Sequence, residues 1–476
     1  MYLDASTLEN NASVEADVCI IGAGPAGITV ALELADLKKN IFLLESGGID
    51  LEAGTQRLNE CYATGIPYKP SLSSTRLRCF GGASDHWSGF CAPLDPVDFT
   101  HREWIPLSGW PIKFEDLQQW YLRAQQICEV GGFLYDAAFW EQETGLNRLP
   151  LPSEIVHTKI VQFSPPTRFG YVYRRRLLTS ANVTLWTHVT VTNIKADEME
   201  SHILEVQAIT PNGRSLTVRA VTFVLACGGI ENPRILLVSK QRNQQGLGDA
   251  YGCVGRYFME HPHVFTSSVY LSEGVNPDFY QMNRRFVPLL SIAPEVQKAQ
   301  RIANYSALLV PSEVSEEPYE KKPTSSWRLE ARSEQIPNAE SRVTLRPNFN
   351  DAYGVPQATL DWRLTRMDKE TIRVAEAILA TEILRARLGR LEMPEWLSHK
   401  GEEWPESLIG GPHHMGTTRM SNDPKTGVVD SNCKIHGIDN LYIAGSSVFP
   451  TAGTANPTLS IVALAARLAQ RIKEIS

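Results

Sequence analysis

The first apolar cluster in the chain is Val18-Cys19-Ile20-Ile21, behind a polar and acidic lead from Met1 to Ala16. An unbroken apolar run of this length predicts a strand buried on both faces. Glycines follow it, then a helical stretch from Ile28 to Leu37, then a second apolar run, Ile41 to Leu44, closed by Glu45. Strand, turn, helix and strand in that order make a βαβ unit. Further along, Val183 to Ile194 and His202 to Ile209 are rich in β-branched residues, Asn212-Gly213 marks a turn, and Val221 to Ala226 predicts another buried strand. From about Arg256 to Gly410 charge, proline and tryptophan become more frequent. Short alternating strands are expected there at Ser341 to Leu345 and Ala358 to Trp362, and a long helix from about Asp368 to Leu388, ending at Gly389. From Gly411 the chain returns to glycine turns, an apolar strand at Leu441 to Ala444 and a helix from Thr458 to Ile472.

This order predicts an α/β fold with a discontinuous Rossmann-type nucleotide domain, 1–255 and 411–476. An α+β substrate domain on an antiparallel sheet is inserted at 256–410, and 60–150 is expected to reach the substrate side. A chain of 476 residues has room for both. The net charge of −7 argues against a nucleic-acid or anionic-membrane partner. The eight cysteines, at 19, 61, 79, 91, 128, 227, 253 and 433, show no Cys-x-x-Cys pair, so no zinc or dithiol site is expected. Cys19 and Cys227 lie in apolar runs and read as buried free thiols, which favours a reducing compartment. No apolar run is long enough to span a bilayer and the N-terminus lacks a signal-peptide pattern, so a cytoplasmic location is expected.

The chemistry starts at Gly22-Ala23-Gly24-Pro25-Ala26-Gly27, between strand and helix. Gly22 permits the tight turn, Gly24 lets the backbone approach a pyrophosphate, and Gly27 lets helix and strand pack closely, with the phosphates at the helix N-terminus. Glu45, at the end of the second strand, can accept hydrogen bonds from ribose hydroxyls. Pro25 after the second glycine and the last section of the chain resemble FAD enzymes rather than nicotinamide dehydrogenases. Leu441 to Ser446 reads as strand and turn, and Asn456-Pro457-Thr458 opens the final helix, with Asn456 able to cap it and Pro457 suited to its first position. The positive end of that helix would stabilise an anionic reduced flavin.

With these motifs in hand, the chain resembles the glucose-methanol-choline oxidoreductases over nearly its whole length. Besides the glycine motif, four stretches carry the likeness: Phe80-Gly81-Gly82-Ala83-Ser84-Asp85-His86-Trp87; Ala226-Cys227-Gly228-Gly229-Ile230-Glu231-Asn232-Pro233-Arg234; His413-His414-Met415-Gly416-Thr417-Thr418-Arg419-Met420; and Asn456-Pro457-Thr458. The Gly-Gly…His-Trp stretch and the Asn-Pro-Thr ending are similar to the sugar-oxidising branch, pyranose oxidases and related bacterial sugar dehydrogenases. The resemblance implies FAD contacts from Gly22, Gly24, Pro25, Ala26, Gly27, Glu45, Ser46, Arg78, Gly81, Gly82, Ser84, His86, Trp87, Val189, Ala226, Gly228, Gly445, Ser446, Asn456, Pro457 and Thr458. It also implies a catalytic pair. His413, three residues before Gly416-Thr417, stands where the family has its base, with His414 as the rival reading. Asn456 stands where the family has a second polar residue. His86 matches the histidine that pyranose oxidases join to the flavin; a covalent bond and simple packing near the dimethylbenzene edge both stay open.

The implied reaction oxidises a hydroxyl of a sugar or sugar-like ring to a carbonyl. His413 takes the hydroxyl proton, Asn456 holds the oxygen, and flavin N5 receives the hydride. The electron acceptor is oxygen or another oxidant, and the oligomeric state is open. The chain is shorter than many members, so a more open pocket could admit a glycoside or an aminoglycoside. Alternatives are a lyase of the same fold with a non-redox FAD, a non-sugar alcohol oxidase or dehydrogenase, a silent FAD-binding subunit, and a nicotinamide dehydrogenase. Of the tryptophans, Trp87 is expected at the site and most others in packing. Glu313 to Glu320 reads as a solvated loop. His261-Pro262-His263 has metal-like spacing, but the family has no metal there, and His261 is expected to pack near the domain junction.

Overall fold

The computed structural model describes residues 1–312, 326–398, 401 and 403–475. The first βαβ unit comprises strand Ala12–Ile21, helix Pro25–Leu34 and strand Ile41–Leu44, with Val18 to Ile21 parallel to Ile41 to Leu44. The helix begins before Ile28 because Gly24 stands at its N-cap and Pro25 occupies the first turn, where a missing N–H costs no hydrogen bond. Strands Tyr2–Asp4, Val183–Thr187, Ile41–Leu44, Ala12–Ile21 and Ser215–Leu225 run parallel in that spatial order. Strand Ser215–Leu225 has two further partners. Ser215 to Val218 pair with Ile203–Ile209, which forms an antiparallel hairpin with Thr190–Ala196; Phe223 to Leu225 pair with Leu441–Ile443. The C-terminal strand thus returns to the N-terminal sheet, and the Rossmann-type unit is discontinuous. Helix Thr458–Ile475 packs between Pro25–Leu34 and Phe114–Ile127, burying Leu459, Val462, Ala463 and Ala466 at helical spacing.

The second sheet is antiparallel: Gly389–Glu392, Pro262–Leu271, Ser326–Ser333, Tyr305–Pro311, Phe286–Ile292, Val156–Phe163 and Phe90–Cys91. Helix Arg366–Arg385 lies against it through Ile372, Ala375, Leu379 and Ile383. The helix starts at a Thr365/Asp368 capping box and ends before Gly389, whose φ of 147° belongs to the entry of the edge strand. Two strands in this sheet, Phe90–Cys91 and Val156–Phe163, come from the 1–255 stretch; the latter pairs along its length with Phe286–Ile292. A smaller sheet joins Cys61–Gly65, parallel, to Pro356–Trp362, which pairs with Arg342–Asn350. The expected loop from Glu313 to Glu320 lies outside the described residues. Among the described residues no helix is long and apolar enough to cross a membrane, no group of His, Cys, Asp or Glu is placed to hold a metal, and all eight cysteines are free.

Candidate flavin and substrate site

A cavity of about 600 Å³ runs from the glycine turn to the antiparallel sheet. Gly22, with φ of 104°, leaves no room for a side chain: a Cβ would lie 2.7 Å from the Ala226 carbonyl oxygen. Gly27 is tighter still, its Cβ position 1.9 Å from the Gly22 oxygen. Gly24, Gly228 and Gly445 differ, because their Cβ positions meet nothing within 4 Å and all three border the cavity. Two glycines therefore close the strand against the helix, and three leave open backbone for a ligand. Gly24 is the N-cap of Pro25–Leu34, so amide hydrogens of the first turn face the cavity, which suits a pyrophosphate. Glu45 is buried, takes the amide hydrogens of Ala23 (3.1 Å) and Gly47 (2.9 Å), and borders the cavity with spare acceptor capacity for ribose hydroxyls. Burial pushes its carboxyl up to about 6 against those hydrogen bonds. These residues fit FAD.

Most of the expected contacts converge here. Pro25, Ala26, Ser46, Arg78, Gly82, Ser84, His86, Trp87, Val189, Ala226, Ser446, Asn456, Pro457 and Thr458 also line the cavity, and Trp87 is the one tryptophan among the lining residues. Gly27 and Gly81 do not line it. Gly27 is sealed between helix and strand, and Gly81, φ 110°, sits against Gly170, so both shape the cradle from behind. Ser84 Oγ donates to the Gly81 carbonyl and accepts from the Phe169 amide, and the Val189 amide donates to the Glu45 carbonyl, so these groups brace the wall. Arg78 is aimed by its neighbours. It bonds Ser46 Oγ (2.9 Å) and Asn59 Oδ1 (2.8 Å) and pairs with Glu231 (2.9 Å), which also binds Arg76 and Arg234. Burial works to raise the Glu231 carboxyl, but Arg234, Arg78 and Arg76 outweigh it and hold Glu231 well below the ordinary range.

At the other end the backbone forms an arch. Strand Ile409–Gly410 pairs with Pro262 and His263, and Met415 bridges to Met259, so 411–414 curve over Glu260 and His261. Glu260 is fully buried inside the arch and accepts the amide hydrogens of His413 (2.9 Å), Gly411 (3.0 Å) and His261 (3.2 Å), together with the Tyr68 hydroxyl. Burial outweighs these bonds and pushes its carboxyl up to about 7. The two adjacent histidines diverge. Nε2 of His413 lies 3.0 Å from the Asn456 amide nitrogen at the cavity wall, and Nε2 of His414 lies 2.9 Å from the Tyr68 hydroxyl. Asn456 lies two residues before helix Thr458–Ile475, and its amide contacts His413. His261, expected at a packing position, contacts His413 directly. Burial first, then the positive charge of Arg332, keeps His413 well below the ordinary imidazole value. A neutral imidazole beside an amide donor, at the mouth of a nucleotide cradle, can take a proton from a hydroxyl.

Glu260, Tyr68, His263 and Arg332 are additions to the expected site. The His-x-His spacing was a visible signal for His263. Nothing in the sequence pairs Glu260 with amides about 150 positions later, because that contact depends on the arch.

This combination of cradle, C-terminal return and base-like histidine defines an FAD-dependent oxidoreductase. Residues 17–247 match the family described as FAD dependent oxidoreductase, and residues 337–465 match GMC oxidoreductase. The chain thus combines an FAD dependent oxidoreductase domain with a GMC oxidoreductase C-terminal domain. It is 25% identical to 2-methyl-1,2-propanediol dehydrogenase of Mycolicibacterium austroafricanum, across 95% of this chain and 94% of the relative. It is 24% identical to the large subunit of fructose dehydrogenase from Gluconobacter japonicus, across 97% and 98%. It is also 24% identical to paromamine 6'-oxidase of Streptomyces fradiae, across 96% and 91%.

Proposed function

We propose that this enzyme oxidises a hydroxyl of a sugar or sugar-like ring, free, as a glycoside or as an aminoglycoside, with His413 as base and Asn456 holding the substrate oxygen. The observation that carries the proposal is the 3.0 Å contact of His413 Nε2 with the Asn456 amide, beside the N-terminus of the final helix. The cradle bordered by Gly24, Glu45 and Arg78 would hold FAD, which would supply the acceptor for the C–H hydrogen and its electron pair. The residues of the chain do the rest. His413 Nε2 receives the hydroxyl proton, the Asn456 amide donates to the substrate oxygen, and Glu260 fixes the His413 backbone. Segments 1–255 and 411–476 hold the cofactor and 256–410 the substrate, with 60–150 reaching the substrate side and strands Phe90–Cys91 and Val156–Phe163 contributing to the substrate sheet.

The substrate class is supported by two relatives named for fructose and paromamine; the relative named for 2-methyl-1,2-propanediol shares the alcohol chemistry. The acceptor is oxygen or another oxidant, and the location is the cytoplasm. Anaerobic mixing with a panel of sugars, glycosides and aminoglycosides is expected to bleach the flavin with at least one of them. Bleaching by short diols, choline or sterols alone would overturn the sugar assignment.

A further inference from the structure

His261 is buried behind His413, 1% exposed. Its Nδ1 stands 2.9 Å from Nδ1 of His413, with the ring planes 72° apart, and its Nε2 faces the Ala452 carbonyl oxygen at 3.3 Å. A carbonyl oxygen only accepts, so Nε2 of His261 carries the hydrogen and, in the neutral ring, Nδ1 keeps the lone pair. Nδ1 of His413 must then donate to it. That leaves the lone pair of neutral His413 on Nε2, the nitrogen that meets the Asn456 amide. One backbone carbonyl sets both tautomers in turn.

We infer that His261 is a positioning residue for the oxidation: it holds His413 in the Nδ1–H tautomer, so that Nε2, beside the Asn456 amide, keeps the lone pair that takes the hydroxyl proton. The inference rests on the proposed role of His413 as base. A protonated His261 would donate from both nitrogens, force His413 Nδ1 to accept, and leave a hydrogen on Nε2 where the base needs a lone pair. Burial prevents this, lowering His261 to about 4. The charged and titratable groups around the pair are Glu260 beneath it, Arg332 and Glu334 from the neighbouring strand and its end, and His263 and His414 beside it. Arg332 opposes a positive charge on either ring and Glu334 favours one on His261, with burial the larger effect. When the hydroxyl proton reaches Nε2, His413 becomes a cation whose Nδ1–H is still donated to His261. An aspartate does this for histidine in a Ser-His-Asp triad; here a neutral imidazole does it without adding a fixed negative charge.

His261→Gln and His261→Leu separate positioning from packing. A glutamine oxygen can accept from His413 while its amide group donates to the Ala452 carbonyl; leucine does neither. Anaerobic flavin reduction in the Leu variant is expected to slow by about tenfold or more with FAD content unchanged. Its acid limb should move to lower pH, because the His413 cation has lost an acceptor. The Gln variant should recover most of the rate. Nitrogen-15 shifts of the wild-type holoenzyme read the tautomer directly, whether or not the Leu variant folds: hydrogen on His413 Nδ1 is expected, and hydrogen on Nε2 would overturn the inference. A Leu variant with the wild-type rate and pH profile, or Gln and Leu variants equally impaired, would overturn it as well. His413→Ala is the control. If that variant keeps the wild-type rate, the base reading itself fails; if it is inactive while His261→Leu is normal, only the positioning inference fails.

Discussion

Two glycines in the same motif do opposite jobs, and single methyl groups distinguish them. A Cβ on Gly27 would lie 1.9 Å from the Gly22 carbonyl oxygen, so Gly27→Ala must push the helix off the strand. It is expected to destabilise the fold by about 1–3 kcal/mol, read as a lower thermal midpoint even without FAD. A Cβ on Gly24 meets nothing within 4 Å of protein. Gly24→Ala should leave the apoprotein midpoint unchanged and weaken FAD binding, because the methyl group fills space kept for the pyrophosphate. Equal midpoints for the two variants would contradict this division. His86 borders the cavity with its side chain exposed toward it. We expect it to pack beside the flavin without a bond, so acid precipitation should leave FAD in the supernatant; yellow protein in the pellet would place a covalent bond there.

At the scale of elements, the arch from Ile409 to Met415 is pinned at its ends by backbone pairing and along its curve by the Glu260 carboxyl group. Glu260 rests at about 7, above the ordinary 4.5. A carboxyl raised in the folded state contributes stability that is complete below its unfolded value and is lost as pH rises through the folded value. The difference in thermal midpoint between the wild type and Glu260→Gln should therefore widen as pH falls from 8 to 5, with differential scanning fluorimetry as the readout. A constant difference would show that Glu260 is ionised throughout. Elements defined by continuous apolar runs were legible in the sequence, since Val18 to Ile21, Ile41 to Leu44 and Val221 to Ala226 needed only their own composition to be read as buried strands, although the first and third strands begin earlier, at Ala12 and Ser215. Helix ends were shifted by caps, as at Pro25 and Thr365. The antiparallel sheet was less legible. The partnership of Val156–Phe163 with Phe286–Ile292 depends on which strands the fold brings side by side, and neither segment's composition encodes it.

For the whole molecule, the discontinuous nucleotide unit was readable because glycine turns punctuate both ends of the chain, and the site was readable where motif residues touch the cavity. What stayed hidden is the set of contacts between distant segments: Glu260 beneath His413, His261 behind it, Tyr68 against His414. The first two act on His413, whose Nε2 faces the Asn456 amide. The most direct test is anaerobic single turnover of three yellow proteins, the wild type, His413→Ala and His414→Ala, with a substrate that bleaches the wild-type flavin. With His413 as base, His413→Ala should keep its FAD and reduce it about a hundredfold or more slowly, while His414→Ala stays within several-fold of the wild type. Unimpaired reduction by His413→Ala, or loss of reduction in His414→Ala alone, would contradict it.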